Sequence, residues 1–331
     1  MITNPYEYKP LSVEDLEAVK RLTRDQAVAS ETLGKAEVRF VVETYYAIQK
    51  MRVGQNNRSK ALDKAGEPHA VVDWIRNQQE TLENQIKRAL ERWTIDRPIG
   101  TWLSSIYGIG PVLTAGLIAY TNMEHCPSVS NLWSYAGLNP RQVWRRGQKR
   151  PWNAILKTLC WKIGQSFVFF CNRDEDIYGK VYQRRKAYEW QNNLQGVYAD
   201  QARAKLDSFN LEGTAIWYFY AGCLTPDMVQ VIIEKGLTNN IKAIQEMALP
   251  PGEGVPMLPP GHIQARAARY AVKLFLSHYH EVYFWLTYGV RPALPYVITR
   301  LGHADYIPPP NTDVVTDLPW RSIPVIAIPE Q

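Results

Sequence analysis

The sequence predicts a mainly α-helical protein, in which a long antiparallel helical hairpin precedes a helical domain that contains a helix-hairpin-helix. Apolar residues recur at helical spacing through 35–57 and 69–93, and again in a closing stretch that starts at His262. Between these stretches, a glycine-proline turn at 108–111 joins two shorter apolar runs. The 331 residues suffice for about two domains with sizeable cores.

The first 95 residues are interpreted as the helical hairpin. Ser12 and Asp15 resemble a capping box that opens a short helix ending near Asp25. Two long helices follow, separated by the helix-breaking triplet 66–68. The pair either forms a plain layer over the next domain or supplies one half of a homo-oligomer interface, and the sequence favours neither.

The turn within 104–118, SSIYGIGPVLTAGLI, is a candidate phosphate-binding site. Glycines allow a sharp turn and a close ligand, and Pro111 suits the first turn of a helix. Amides after this proline would face outward from a positive helix end. The arrangement resembles the helix-hairpin-helix, which holds a nucleic-acid backbone without reading bases; a packing hairpin would look similar. The candidate residues are Gly108, Ile109, Gly110, Val112, Leu113 and Thr114.

Positive charge is concentrated downstream of this turn. The chain carries a net charge of +6, whereas segment 139–186 holds twelve Lys or Arg and three acidic residues, a net +9 that leaves −3 elsewhere. Such a confined excess is typical of a nucleic-acid binder.

The loop 141–152 interleaves cations with two tryptophans, Trp144 and Trp152. Guanidinium groups pair with phosphates, and indoles offer stacking faces to unpaired bases. The competing interpretation is a solvated basic loop whose tryptophans pack into the core. The candidate cations are Arg141, Arg145, Arg146, Lys149, Arg150 and, on the following helix, Lys157.

The closing helix carries one cationic stripe on an otherwise apolar surface. At about 100° per residue, Arg266, Arg269 and Lys273 align with His262 and His280. The stripe needs either carboxylates of the same protein or a phosphate backbone, and both alternatives stay open.

The order of these segments resembles the C-terminal half of the insertion-sequence transposases that work with a bridge RNA. In that family a GIGP-type hairpin precedes an S-x-AGL-x-P segment, a basic glycine-containing loop and a helix. The likeness covers 102–185 and resumes at 262–289. It rests on Gly108, Gly110, Pro111, Ala136, Gly137, Leu138, Pro140, Gly147 and Asn153.

Two departures separate this chain from the active enzymes of that family. Those enzymes carry a RuvC-like half with four acidic metal ligands, whereas long helical periods fill the first 95 residues here. They also place a nucleophilic serine in the loop after AGL-x-P, and Arg141–Arg150 contains no serine. The resemblance therefore implies a DNA-binding, transposase-like protein that lacks strand-transfer activity. The alternatives are an active recombinase that uses a partner or a non-standard nucleophile, and a structural or assembly protein on a transposase-derived scaffold.

No other pattern identifies a catalytic residue, a metal site or a cofactor. Ser128, Ser130 and Ser134 suit turns and caps, and the i, i+4 pair Lys162 and Ser166 lacks a third orienting group. The acidic run 174–176 fits a solvated helix boundary. His278 and His280 are not spaced as a helical zinc pair.

The expected compartment is a reducing cytoplasm. The four cysteines are scattered without paired spacing. No signal peptide and no apolar run near 20 residues is seen, so secretion and membrane spanning are not expected. The predicted partners are DNA, including branched DNA, or structured RNA.

The remaining boundaries follow from these assignments. Residues 96–196 form the transposase-like domain, and 197–260 an insertion ending in a flexible linker. Residues 261–306 contain the closing basic helix, and 307–331 a proline-rich tail that is extended on the surface or mobile.

Overall fold

The computed structural model describes residues 24–208, 211–294 and 306–326, and these are mainly α-helical, as predicted. The capping box at Ser12 lies outside the described residues. The helices are α1 (Arg24–Glu31), α2 (Lys35–Ala65), α3 (Ala70–Ile95), α4 (Pro98–Ser104), α5 (Pro111–Tyr120), α6 (Val129–Tyr135), α7 (Ala154–Phe170), α8 (Ile177–Leu194), α9 (Ala199–Ser208), α10 (Ala215–Tyr220), α11 (Pro226–Glu234), α12 (Ile241–Met247) and α13 (Pro260–Tyr288). Single 3-10 turns occur at Met123–His125, Thr312–Val314 and Trp320–Ser322.

The chain divides into two compact units. Unit 1 comprises the described residues up to Leu159 and those from His278 onward, and unit 2 comprises Cys160–Ser277. This division differs from the expected boundaries at 196 and 261, because α7 and α13 each contribute residues to both units.

Unit 1 is built on α2, α3 and α5. Helices α2 and α3 are joined through Gly66, whose left-handed conformation (φ 74°) ends α2. Along the pair, Arg52 Nε donates to Glu83 Oε1 at 2.6 Å and Ser59 Oγ donates to Asp73 Oδ1 at 2.6 Å. Helix α5 is the buried centre of the unit, since every residue from Thr114 to its end is buried.

The segment 306–326 packs onto unit 1. Trp320 and Ile323 are buried, and Trp320 Nε1 donates to the buried carboxylate of Glu281 at 3.0 Å. Arg291 forms a parallel bridge with Val325. This part of the tail, which was expected to be extended on the surface or mobile, contains two 3-10 turns, and indole burial and hydrogen bonds attach it to the unit. Residues 327–331 lie outside the described part.

Two apolar clusters in the described part of unit 2 draw on the segment expected to be an insertion. One cluster contains Phe219, Leu224 and Ile244, and the other contains Ala202 and Ile263. The end of the segment is not a flexible linker, because Met257 and Leu258 are fully buried. The side-chain amide of Asn193 exchanges two hydrogen bonds with the backbone of Leu258, at 2.8 and 2.9 Å.

Across the described ranges, the helices are too short or too polar to cross a membrane.

Candidate nucleic-acid interface

The turn between α4 and α5 holds its two glycines in different backbone conformations. Gly108 has a φ of 83°, in the left-handed region that favours glycine. Gly110 is the exposed N-cap of α5, with φ −87° and ψ 173°, and Pro111 occupies the first turn. A Cβ on Gly110 would meet no atom within 4 Å. The turn is therefore open to a ligand at Gly110.

The set of outward amides is smaller than the sequence suggested. The N–H of Thr114 donates to the Gly110 carbonyl at 3.0 Å, the first hydrogen bond of α5, so this amide is not available to a ligand. Its side chain is fully buried as well. Val112 and Leu113 precede this hydrogen bond, and their amides remain the candidate donors. Ile109 and Val112 have buried side chains, so both could contribute only backbone groups.

Two asparagines fix the ends of the basic loop. Asn139 Oδ1 accepts from the Arg141 amide at 3.0 Å, and its side-chain nitrogen donates to Ser134 Oγ. Asn153 Oδ1 accepts from the amides of Ile155 and Leu156, which caps α7. Asn153 also donates to the Tyr135 hydroxyl at 3.0 Å. The loop is thus held at both ends by side chains outside it.

The loop cations are all exposed, and the structure shows no ion pair for them within its described residues. They are Arg141, Arg145, Arg146, Lys149 and Arg150. Trp144 is 37% exposed, with its indole N–H bonded to the Gln148 carbonyl and the Arg150 guanidinium 5.2 Å from its ring centre. A cationic surface with a partly exposed indole suits both phosphates and unpaired bases.

Trp152 differs from Trp144 in its environment. It is half-buried, and its ring lies so close to Gly137 that a Cβ there would be 2.8 Å from it. The Lys157 ammonium lies 4.0 Å from the ring centre. Trp152 is therefore a packing residue, whereas Trp144 remains a candidate for stacking on an unpaired base.

The stripe residues of α13 from His262 to Lys273 lie in unit 2, and Arg266 already has a carboxylate partner there. Arg266 Nε and Arg185 Nη2 each lie 2.7 Å from buried Glu189. Burial alone would raise the Glu189 pKa, but hydrogen bonds from Tyr198, Arg266 and Arg185 lower it below its usual value. The sequence left open whether the stripe meets carboxylates of the same protein or a phosphate backbone. Arg266 meets a carboxylate of the same protein.

The other stripe residues are partly desolvated. Burial lowers the pKa values of Arg269 and Lys273. Burial, together with neighbouring Arg269 and Arg266, lowers the pKa of His262 to about 4, so this imidazole is neutral at pH 7. His280 lies in unit 1, where it is buried and bonds through Nε2 to the Cys126 carbonyl of the same unit.

Two of the other sequence features, Ser134 and Asp176, have structural roles. Ser134 accepts a hydrogen bond from Asn139, and Asp176 caps α8 by accepting from the Gly179 amide at 2.8 Å. Among the described residues, no group of three His, Cys, Asp or Glu side chains is placed to hold a metal.

Sequence reasoning missed one residue that supports the turn. Asn311 has a φ of 54°, and its side-chain nitrogen donates to the Ser105 carbonyl at 2.9 Å, at the end of α4. Trp102 of α4 likewise donates to the Pro310 carbonyl at 2.8 Å. No local pattern signals these contacts, since they join residues more than 200 positions apart.

The segment that holds the turn and most of the basic loop is similar to known transposases. The model of the transposase IS116/IS110/IS902 family matches residues 100–150. The chain is therefore transposase-like over this segment. No curated protein and no solved structure gave a match to the chain.

Proposed function

We propose that this transposase-like chain binds the backbone of DNA, including branched DNA, or of structured RNA through unit 1. The Val112 and Leu113 amides bind one phosphate at the α5 N-terminus, and the loop Arg141–Arg150 binds neighbouring phosphates. The observation that carries the proposal is the loop itself: five exposed cations without an ion pair in the described structure, inside the segment similar to transposases.

The charge arrangement supports binding through contacts to the backbone. Ordinary surface arginines gain about 0–1 kcal/mol from a nearby carboxylate, yet the loop keeps five cations together without one. Backbone contacts release counterions, so affinity falls steeply with salt and depends little on base sequence. The fixed loop ends reduce the conformational entropy lost when the cations meet phosphates.

Under this proposal, the protein does not transfer DNA strands by itself. The loop contains no serine, and Ser134 before it is hydrogen-bonded to Asn139. An active recombinase would form a covalent protein–DNA bond. Trapping such an adduct on nicked or branched DNA, and mapping it to one residue of this chain, would refute this part of the proposal.

The loop is tested by neutralising Arg145, Arg146, Lys149 and Arg150 with glutamine and measuring binding across a salt series. Each phosphate contact contributes about 0.9 to the slope of log affinity against log salt for duplex DNA. Loss of all four contacts should lower the slope by about 3.6, and an unchanged slope would contradict the proposed surface.

A matched control removes the same charge elsewhere in unit 1. Exposed lysines of α2 and α3 also lack a described ion pair, and four of them can be changed to glutamine together: Lys50, Lys60, Lys64 and Lys87. The two variants have equal net charge, so a difference in slope between them reports position and not total charge. Equal slopes would show that only net charge matters.

A further inference from the structure

A cleft of about 530 Å³ opens in unit 2, separate in sequence from the turn and the basic loop. It is lined by the end of α7 and the residues just after it, by one face of α8, and by Gln264 of α13. Its volume is in the range of small-molecule sites. Its lining includes one cation, Lys186, and no acidic residue.

Paired amides give the cleft a donor and an acceptor side by side. Gln183 Nε2 donates to Asn172 Oδ1 at 2.9 Å. That bond leaves the Gln183 carbonyl oxygen as an acceptor and the Asn172 amide nitrogen as a donor. Gln264 adds a third amide to the lining. Adjacent donor and acceptor groups match the edge of a nucleobase, which alternates the same two functions.

An aromatic wall and a cation complete the set. Trp190 lines the cleft and is half-buried, since it also packs against both apolar clusters of unit 2. The Lys186 ammonium lies 5.8 Å from the ring centre of buried Tyr182. An indole stacks on any base, and an ammonium without a carboxylate among the lining residues attracts a phosphate.

We propose that this cleft binds a nucleobase that carries a phosphate. The base edge meets Asn172 and Gln183, its face meets Trp190, and the phosphate meets Lys186. Such a ligand has two sources, a free mononucleotide or an unpaired base of a nucleic acid. Binding of a free mononucleotide would not require the turn or the basic loop, so the two proposals can fail separately.

The native protein contains a reporter for this cleft. Cys171 lines it and is half-buried, whereas Cys126, Cys160 and Cys223 are buried. Alkylation of the full chain by iodoacetamide, mapped by peptide mass spectrometry, should therefore modify Cys171 first. Saturating adenosine or uridine monophosphate, or an oligonucleotide with an unpaired base, should slow that alkylation at least about fivefold. Ribose 5-phosphate alone should not slow it.

A pair of variants tests the amide contacts. Gln183→Leu removes the edge-reading amide, and Gln191→Leu makes the same change at an exposed position of α8 outside the cleft lining. Because a two-bond base contact discriminates by about tenfold or more, Gln183→Leu should weaken base binding by about tenfold, and Gln191→Leu should not. Lys186→Met should reduce mononucleotide affinity to that of the nucleoside.

Titrating the same proteins with a mononucleotide and with an oligonucleotide distinguishes the two possible ligands. Sensitivity of mononucleotide binding to Gln183→Leu identifies a free-nucleotide site. If Gln183→Leu weakens only the binding of an oligonucleotide, the cleft holds a base of a nucleic acid. Replacing the unpaired base of that oligonucleotide with an abasic residue should then abolish the difference between Gln183→Leu and the wild type. If no nucleotide or oligonucleotide protects Cys171, or Gln183→Leu and Gln191→Leu bind both ligands equally, the proposal is wrong.

Discussion

Replacing Gly110 by serine separates the stability of α5 from phosphate binding at its N-terminus. Gly110 is an N-cap in extended backbone conformation, and a Cβ there meets no atom within 4 Å. Serine adopts that conformation without strain and is a better N-cap by a few tenths of a kcal/mol. Reduced freedom of the unfolded chain adds about 0.4–1 kcal/mol. The free energy of unfolding should therefore rise by about 1 kcal/mol.

Binding should change in the opposite direction. The serine hydroxyl accepts from the first-turn amides of α5, and it then competes with a phosphate oxygen for the same donors. A hydrogen bond to a charged group contributes about 1.5–3 kcal/mol. Loss of one such bond should weaken affinity for branched DNA about tenfold or more. Fluorescence anisotropy at low salt measures the affinity, and urea unfolding followed by circular dichroism measures the stability.

Gly34 supplies a matched control. It is the exposed N-cap of α2, with φ −72° and ψ 157°, and its added Cβ would be 3.5 Å from Glu37 Oε2, an ordinary contact. Gly34→Ser should resemble Gly110→Ser in its backbone compatibility and leave affinity unchanged. If Gly110→Ser binds as tightly as Gly34→Ser and the wild type, no phosphate sits on the α5 amides. Gly108→Ala, at φ 83°, should instead cost about 1–2 kcal/mol of stability.

Trp144 in the loop and the buried His278 can each be tested by a single substitution. Trp144→Leu should weaken binding of branched or single-stranded DNA about tenfold with little change for plain duplex, measured by anisotropy with exposed Trp161→Leu as the control; equal losses for both variants would contradict stacking at Trp144. Burial lowers the pKa of His278 from 6.5 to about 4, while its Nε2 bonds to the Ile307 carbonyl. The unfolded chain therefore takes up the proton first, and stability should fall by about 3 kcal/mol as pH drops from 6.5 to 4. In urea unfolding at several pH values, His278→Gln should flatten this part of the curve, and an unchanged pH slope would show that His278 does not cause it.

Most of the predictions about the helices and the turn rested on interactions between residues close in sequence. The apolar periods at 35–57 and 69–93 correspond to α2 and α3. Gly108 and Pro111 adopt the conformations predicted for them. These features depend on contacts within about four positions, which the spacing of residue types records directly.

Parts of the candidate site depended on distant partners, and there the sequence left alternatives open. The cations of α13 could have met phosphates or carboxylates, and Glu189 pairs with Arg266 across 77 positions. Trp144 and Trp152 look alike in sequence, yet only Trp152 packs against Gly137. Residue spacing does not record which side chains meet across the fold, so these assignments needed coordinates.

The sequence by itself determined the helical fold class, the positions of the long helices, the glycine turn and the concentration of positive charge in one segment. Tertiary structure decided which of those charges lack a carboxylate, which amides α5 uses internally, and how Asn311 reaches Ser105. The physical reason is range. Helix periodicity, capping and turn chemistry act between near neighbours in the chain, whereas ion pairing and burial are decided by residues that only the folded chain brings together.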